Sequence, residues 1–338
     1  MLEKMPKISI IIPFNNGKKY LKNCLDSVTS INYDDYEIIL IDDFSKDNSE
    51  EILKKYENTK YFYTSQETIG VGNARNLGIE KASGKYIMFV DVDDTIDKNL
   101  LKNLQKYMEQ DIDMIKYKMK IIEGQRNNNI KTNTAKIITE LRNNNIQSDS
   151  VTGKKIKYEN GPTFEPTNGE DAFNKLCFKD NYLDSPCLYL IKKDLFERTN
   201  SKFKKNVYHE DFGLIPLLLA NAKTVVSTNI DGYNYYQSEN SIMRNEDYSK
   251  KIKKVNDKFL LYDNLKKKLK NTNLKQKTCK NFLEYYTNSI IIGVKELKKN
   301  DRKSYMKKIK NKGMLNNLRV RNIKQLLKKV VLYVSMLK

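Results

Sequence analysis

The sequence has very few of the residues that bind zinc or build disulfide frameworks. His209 is its one histidine, and its four cysteines are scattered along the chain without a C-x-x-C pair. Structural zinc sites combine cysteine and histidine at short spacings, so no zinc site is expected. Scattered cysteines in a chain without a signal-peptide pattern also favour reduced thiols in the cytosol.

Long apolar runs are also lacking. The run from Ile8 to Pro13 is among the longest in the chain, whereas a helix that spans a bilayer needs about 20 apolar residues. We therefore expect a protein that is soluble or bound peripherally to a membrane.

Acidic residues are absent from the C-terminal tail, residues 302–338. The whole chain has 62 Lys and Arg residues against 42 Asp and Glu, a formal charge of +20, and the tail supplies twelve of the basic residues. Such an excess predicts an anionic partner. A nucleic acid is the least favoured one, because the tail lacks the interleaved aromatic residues of a single-strand binding platform.

The tail also has an apolar stripe at helical spacing. Leu315, Leu318, Ile323, Leu326 and Val330 lie on one face, with basic residues between them. A basic amphipathic helix can lie in the interface of an anionic membrane. It can equally pack its apolar face on the protein and leave its lysines in water, and the pattern leaves both interpretations open.

The first ~120 residues alternate between strand and helix patterns, which predicts an α/β fold with a mostly parallel sheet. The division that we expect has three parts: residues 1–118 as a first, parallel α/β half, 119–245 as a second half with an Asn-rich insertion, and 246–338 as a basic helical region.

Three predicted strands end in polar residues, at Pro13-Phe14-Asn15, Asp42-Asp43 and Asp91-Val92-Asp93-Asp94. Ligands of parallel sheets bind beyond the carboxyl ends of the strands, so these groups should converge. Three neighbouring carboxylates repel one another, and Mn²⁺ or Mg²⁺ would relieve that repulsion and could bridge a diphosphate. The alternative is a solvated turn that caps the next helix.

Two further motifs have a functional and a structural interpretation. The glycine-rich start of a helix at Gly70 places Arg75 where phosphate is favoured; alternatively, Gly72 and Gly78 pack that helix on the sheet and leave Arg75 exposed. The acidic pair Glu210-Asp211 could supply a general base for an acceptor hydroxyl. It could equally cap the apolar helix that follows, and His209 alone would then be structural.

These motifs, in this order, closely resemble family 2 glycosyltransferases, which have the GT-A fold. The resemblance is carried by Pro13-Phe14-Asn15-Asn16, Ile41-Asp42-Asp43-x-Ser45-x-Asp47, Gly70-x-Gly72-x-Ala74-Arg75-Asn76-x-Gly78, Gly84-Lys85-Tyr86-Ile87-x-Phe89-Val90-Asp91-x-Asp93-Asp94 and Glu210-Asp211. It is strong over residues 6–108 and moderate over 182–244, where Tyr233-x-Tyr235-Tyr236 and Ser241-Ile242-x-Arg244 resemble the acceptor half. It implies a Rossmann-like nucleotide-binding sheet flanked by helices, with a C-terminal helical extension.

The resemblance also implies a role for each matching residue. Pro13, Phe14 and Asn15 would line the nucleotide pocket, and Asp43 would bind the base. Arg75 would contact the diphosphate. Asp91 would lie near the ribose and the metal, with Asp93 as the direct metal ligand, and Asp211 would be the base of an inverting displacement. The accessory candidates are Asp94, His209, Glu210 and Arg244.

One absence refines this expectation. The chain contains no Trp, so it lacks the Gln-x-x-Arg-Trp motif of the processive synthases in this family, and a single-addition enzyme is favoured. We expect transfer from a nucleotide-diphosphate sugar, by resemblance a UDP-sugar, to a hydroxyl of a glycan or lipid-linked acceptor. The enzyme would build a bacterial surface glycan from the inner face of the membrane. A nucleotidyltransferase on a similar half-fold is the alternative.

Overall fold

The computed structural model of the protein describes residues 6–65, 70–123, 146–148, 155–159, 161–237 and 247–320. One mixed sheet organises this part of the chain. Its strands are β1 (Ile8–Phe14), β2 (Tyr36–Asp42), β3 (Thr59–Tyr63), β4 (Tyr86–Phe89), β5 (Thr95–Ile96), β6 (Met114–Glu123), β7 (Ile146–Ser148), β8 (Lys155–Glu159), β9 (Phe164–Thr167), β10 (Tyr189–Lys192) and β11 (Val225–Gln237).

The strand order is β3-β2-β1-β4-β10-β6-β11-β5, and the four strands at the β3 end are parallel. Every residue of β1 is buried. Such burial is typical of a parallel strand covered on both faces. It explains why four of the five residues from Ile8 to Ile12 are isoleucine and why the fifth is a small serine. The predicted α/β class with a largely parallel N-terminal part of the sheet is confirmed.

Helices cover the sheet and continue beyond it. They are α1 (Lys18–Thr29), α2 (Glu50–Leu53), α3 (Val71–Lys81), α4 (Leu100–Glu109), α5 (Gly169–Leu176), α6 (Lys193–Arg198), α7 (Leu214–Asn221), α8 (Tyr248–Lys270), α9 (Gln276–Lys295) and α10 (Lys299–Asn311). In α1 the buried residues are Leu21, Cys24, Leu25 and Val28, the stripe that the sequence predicts. No helix in the described ranges is long and apolar enough to cross a membrane.

The structure differs from the sequence interpretation in two places. The division expected after residue 118 falls inside β6, because this strand continues to Glu123 and pairs with both β8 and β11. The sequence pattern over Thr224–Thr228 predicts a short strand, whereas the structure has the 13-residue β11, which follows β6 through two register shifts. The two predicted halves therefore share one sheet. The pattern at Ile137-Ile138 and Leu141 leaves room for a short helix, but these residues lie outside the described part of the chain.

The C-terminal helices pack on the sheet domain. The ring of Phe282 stacks on that of Phe173 at 3.9 Å, and the Thr278 hydroxyl donates to Glu170 at 2.6 Å. Beyond them, Leu315 and Leu318 are buried, and Arg319 pairs with Glu284 at 2.5 Å. The beginning of the tail therefore packs on the protein, but Leu315 lies in a short 3-10 helix and Leu318 follows it in an extended conformation, so the predicted stripe does not start as one α-helix. Residues 321–338 lie outside the described part.

Candidate active site

The carboxyl ends of β1 and β2 are tied together by hydrogen bonds between their loops. Asn15 Nδ2 donates to the carbonyl of Asp43 at 2.7 Å, the Asn16 amide donates to Ser45 Oγ at 2.8 Å, and the Lys46 amide returns to Asn16 Oδ1 at 2.8 Å. These bonds fix one wall of the predicted crevice without a ligand. Preorganised polar groups of this kind lower the cost of ordering a site on binding.

The three residues predicted to line the nucleotide pocket are not equivalent. Asn15 is exposed, but Pro13 and Phe14 are buried. Phe14 stacks on Tyr61 with ring centroids 6.3 Å apart. The side chains of Pro13 and Phe14 therefore support the pocket from inside the domain, and Asn15 is the one of the three that reaches the surface.

Asp43 holds the start of the glycine-rich segment. Its carboxylate accepts the Gly70 amide at 2.9 and 2.8 Å and the Thr64 hydroxyl at 3.0 Å. Gly70 has a φ of 129°, which side chains disfavour, so glycine is required at this turn. Burial raises the pKa of Asp43 although both partners oppose the shift. Its predicted contact with the base stays a prediction.

Arg75 is the centre of a buried ionic network. It is 4% exposed, donates through Nη2 to Asp91 at 2.8 Å, and donates through Nη1 to Glu210. Burial alone would lower the pKa of Arg75, but the carboxylates of Asp91 and Glu210 outweigh it and raise the pKa. The alternative with an exposed Arg75 is therefore wrong. The guanidinium instead joins the end of β4 to the segment before α7.

Gly72 and Gly78 allow this network to form. A Cβ at Gly78 would lie 2.3 Å from Ile11, so α3 packs on β1 as one interpretation expected. A Cβ at Gly72 would lie 2.7 Å from the carbonyl oxygen of Lys204. The first turn of α3 thus approaches the segment that carries Glu210 more closely than any side chain would permit.

The three carboxylates after β4 divide into two kinds. Asp94 is 1% exposed and accepts the Tyr233 hydroxyl at 2.7 Å and the Tyr236 amide at 3.0 Å. It therefore has a structural role rather than the accessory one considered. Asp93 is exposed, and the Asp91 side chain is 41% exposed beside Arg75.

Asp91 and Asp93 suit a divalent cation whose remaining ligands would be phosphate oxygens of the donor. No cluster of three or more potential ligands occurs among the described residues. Mg²⁺ in enzymes, however, is usually held by one or two carboxylates together with substrate phosphates. Two hard oxygen donors at one strand end, one of them on an exposed residue, are consistent with that arrangement.

Glu210 and Asp211 lie on the turn before α7. The residue at the N-cap of α7 is Gly213, in a left-handed conformation and without a side chain, so Asp211 does not cap this helix. The pKa of Asp211 is raised well above its usual range by burial and then by the neighbouring carboxylates of Glu210 and Asp184, with Arg75 opposing. A carboxylate with a raised pKa is a stronger base.

The two remaining accessory candidates contribute less. His209 has a φ of 57° and lies against α8, where burial and then Lys258 and Lys254 lower its pKa to about 4. It is therefore neutral at physiological pH. Arg244 lies outside the described residues.

Sequence reasoning found the carboxylates but not the residues that arrange them. The hydroxyl of Tyr233 donates to Asp94 and also accepts the amide of Asp91 at 3.1 Å. Its position in the Tyr233-x-Tyr235-Tyr236 motif was the available signal. Pairing of Arg75 with Glu210 across 135 residues had no local signal.

Comparison with known proteins identifies the family whose motifs the sequence resembles. The family described as glycosyl transferase family 2 matches residues 9–166. The glycosyltransferase GlyG of Streptococcus pneumoniae serotype 4 (strain ATCC BAA-334 / TIGR4) is 30% identical over 251 residues, which cover 71% of this chain and 73% of GlyG. The chain belongs to glycosyl transferase family 2. This glycosyltransferase is thus an enzyme, and neither a nucleotidyltransferase nor a nucleic-acid-binding function is needed to explain its motifs.

Other members of the family match shorter stretches or only the fold. The poly(ribitol-phosphate) beta-N-acetylglucosaminyltransferase TarS of Staphylococcus aureus (strain Mu50 / ATCC 700699) is 33% identical over 127 residues, 36% of this chain and 22% of TarS. The chain therefore spans about a fifth of the length of that relative.

Two solved structures extend the comparison of folds. The crystal structure of S. aureus TarS 1-349 in complex with UDP-GlcNAc superimposes with a TM-score of 0.66 at 17% identity, covering 93% of this glycosyltransferase and 82% of that chain. The mannosyltransferase PcManGT from Pyrobaculum calidifontis, in complex with GDP-Man and Mn²⁺, gives a TM-score of 0.50 at 12% identity, covering 99% and 82%. These structures confirm the GT-A fold with its C-terminal helices.

Proposed function

We propose that this glycosyltransferase carries out a metal-dependent, inverting transfer of one sugar from a UDP-sugar to a hydroxyl of a bacterial envelope glycan. The observation that carries the proposal is the Arg75 network. One buried guanidinium contacts both Asp91, at the end of β4, and Glu210, the neighbour of Asp211. The candidate metal ligands and the candidate base are thereby held in one site.

Asp93 and Asp91 would hold Mn²⁺ or Mg²⁺ together with the donor's phosphate oxygens. A metal bound there would neutralise the negative charge that develops on the leaving nucleoside diphosphate. Support comes from the exposure of Asp93 and from the Mn²⁺ complex of the structurally similar mannosyltransferase. In this proposal Arg75 acts on the donor indirectly, because its guanidinium is buried and bonds to the carboxylates of Asp91 and Glu210.

Asp211 would accept the proton of the acceptor hydroxyl. The hydroxyl oxygen forms a bond to the anomeric carbon while the bond from that carbon to the diphosphate oxygen breaks, and the proton passes to Asp211. One displacement inverts the anomeric configuration. The raised pKa of Asp211 and the absence of a capping role support this assignment.

The donor and acceptor are assigned by class. UDP as the nucleotide is supported by the UDP-GlcNAc complex of TarS, and an envelope glycan by the poly(ribitol-phosphate) on which TarS acts. We assign donor binding mainly to residues 1–118 and acceptor binding mainly to 119–245, as two parts of one sheet that meet within β6, and support to 246–338.

A panel of nucleotide sugars tests this function on the full chain. Each donor is incubated with Mn²⁺, with Mg²⁺ or with EDTA, and release of the nucleoside diphosphate is measured with and without envelope glycan acceptors. We expect release from a UDP-sugar, dependent on metal and accelerated by acceptor. Full activity in EDTA would contradict the metal, and release only from GDP- or CDP-sugars would contradict UDP.

The basic tail suggests where the enzyme works. Residues 302–338 carry twelve basic and no acidic residues, and each basic residue near an anionic membrane contributes about 1 kcal/mol. We propose that the enzyme binds peripherally to the inner face of the cytoplasmic membrane. Co-sedimentation with anionic vesicles should weaken as salt rises and should be lost with neutral vesicles. Equal binding by a chain ending at residue 320 would show that residues 321–338 are not the anchor.

A further inference from the structure

Glu210 and Asp211 lie on the turn before α7, and a third carboxylate, Asp184, bonds to the end of this turn. It belongs to the connection between α5 and β10, and no motif in the sequence marks it. Its Oδ1 accepts the Gly213 amide at 2.9 Å and the Tyr286 hydroxyl at 2.5 Å. One oxygen atom thus joins the connection before β10, the start of α7 and helix α9.

The Gly213 bond acts directly on the turn. Gly213 has a φ of 77° and comes two residues after Asp211, so the direction of the chain through this turn depends on it. An amide at a helix N-cap has no partner within the helix. Asp184 supplies that partner from outside, and the turn is therefore held by a side chain rather than by the helix itself.

Tyr286 clamps the same turn from the C-terminal side. Its ring is fully buried and packs on Phe212, the residue next to Asp211, with centroids 4.2 Å apart. Tyr285 packs edge-on against Tyr286 at 5.0 Å. The hydroxyl of Tyr286 therefore cannot turn away from Asp184 without disturbing this aromatic cluster.

We propose that Asp184 is a positioning residue, which Tyr286 orients and which fixes the Asp211 turn for proton transfer. The inference rests on the proposed role of Asp211 as base. It also assigns a function to α9: through Tyr286 this helix helps to position the catalytic turn.

Charges around the turn give the proposal a specific signature. Asp211 faces Glu210, Asp184 and Arg75. Asp184 faces Lys258 of α8 and Asp180, as well as Tyr286. Lys258 is also anchored to α9, through Ser289 Oγ at 3.3 Å. A negative Asp184 favours the protonated form of Asp211, so its neutralisation should move the acidic limb of activity to lower pH.

Three variants of the full chain test the proposal. Asp184→Ala removes the anchor, and small misplacements in an active site cost up to about 100-fold in rate. We expect kcat to fall by about 10- to 100-fold for that reason, with the affinity for the UDP-sugar unchanged in calorimetry. Asp184→Asn keeps an acceptor oxygen for Gly213 and should recover most of kcat. Its profile of kcat/KM against pH should shift its acidic limb to lower values.

The third variant is Tyr286→Phe, and Tyr248→Phe is its matched control. Tyr248 makes a similar bond, to Asp301 at 2.6 Å, within the C-terminal helices. We expect a fall in kcat for Tyr286→Phe and none for Tyr248→Phe.

Two results would overturn the proposal. In the first, Asp184→Ala lowers the melting temperature but keeps wild-type kcat per folded molecule. In the second, Asp184→Asn keeps the wild-type pH profile. Asp211→Asn separates this failure from failure of the base itself. If Asp211→Asn is fully active, the base assignment is wrong and the positioning role falls with it; if Asp211→Asn is inactive while Asp184→Ala is fully active, only the positioning role is wrong.

Discussion

The site contains two groups of carboxylates that differ in enclosure. The strand-end cluster, Asp91, Asp93 and Asp94, follows β4 and presents Asp93 to solvent. The turn cluster, Asp184, Glu210 and Asp211, is less accessible: Glu210 is buried, Asp184 and Asp211 are half-buried, and burial raises the pKa of both Asp184 and Asp211.

The difference in accessibility indicates how one fold obtains two kinds of chemistry from the same type of side chain, a carboxylate. An accessible carboxylate can exchange water for a metal and a diphosphate. An enclosed carboxylate near other negative groups holds a proton more tightly, as a base must. Arg75 is the one residue that contacts both clusters among those described, and it keeps the two functions adjacent.

The largest effect should come from the accessible ligand. Asp93→Ala removes the most exposed carboxylate of the strand-end cluster, so we expect sugar transfer to fall to background, because stabilisation of the leaving group by a metal contributes several kcal/mol. The fold should survive, since Asp93 is not part of the core. Circular dichroism and turnover are measured together, with the exposed Asp34→Ala as control. Retention of metal-stimulated turnover would remove Asp93 from the site.

Asp211→Asn should have the next largest effect. Loss of a general base costs on the order of 10²–10⁴ in rate, and UDP-sugar affinity should not change, because the amide preserves the shape of the turn. Turnover and donor affinity are compared at saturating acceptor. Near-normal turnover would show that Asp211 is not the base and that the turn cluster is dispensable for proton transfer.

Arg75→Met should reduce stability. It leaves Glu210, which is 8% exposed, without its partner, and breaking a buried ion pair costs about 3–5 kcal/mol. Urea denaturation measures the loss. Lys22→Met is the control, because the exposed Lys22–Asp26 pair should contribute less than about 1 kcal/mol. If Arg75→Met lowers the free energy of unfolding no more than Lys22→Met does, Arg75 does not couple the strand-end cluster to the turn cluster.

The smallest effect concerns pH and the enclosed cluster. Burial raises the pKa of Asp184 from 3.8 to about 6, against the bonds from Tyr286 and Gly213. Between these values the folded protein binds more protons than the unfolded chain, so the free energy of unfolding should fall as pH rises, by on the order of 3 kcal/mol. Asp184→Asn should flatten that slope. Urea midpoints from pH 4 to 7 measure it, and an identical slope in the variant would contradict the raised pKa.

The sequence was sufficient for the features that repeat locally. The buried stripe of α1, the strand that precedes Asp91 and the packing glycine at residue 78 all follow from periodicity or from one close approach. The functional candidates Asp93 and Asp211 came from motif order. Their roles stay predictions until the variants are measured.

Partners that are distant in the chain could not be predicted. Arg75 meets Glu210 because the chain returns from α6 to the start of α3, and Asp184 meets Tyr286 across 102 residues. Nothing in the local pattern around Asp184 distinguishes it from a surface aspartate. Such pairings depend on how helices pack on the sheet, which periodicity within each helix does not determine.

The contact of Tyr286 with the Asp211 turn has a consequence for the order of events during synthesis. The ribosome synthesises the chain from its N-terminus, so β1 to β4 and the strand-end cluster emerge well before residue 286. The parallel strands can pair at that stage, whereas the turn receives its clamp only when α9 has followed. Newly made chains should therefore acquire the capacity to hold a nucleotide sugar before they acquire the capacity to use it.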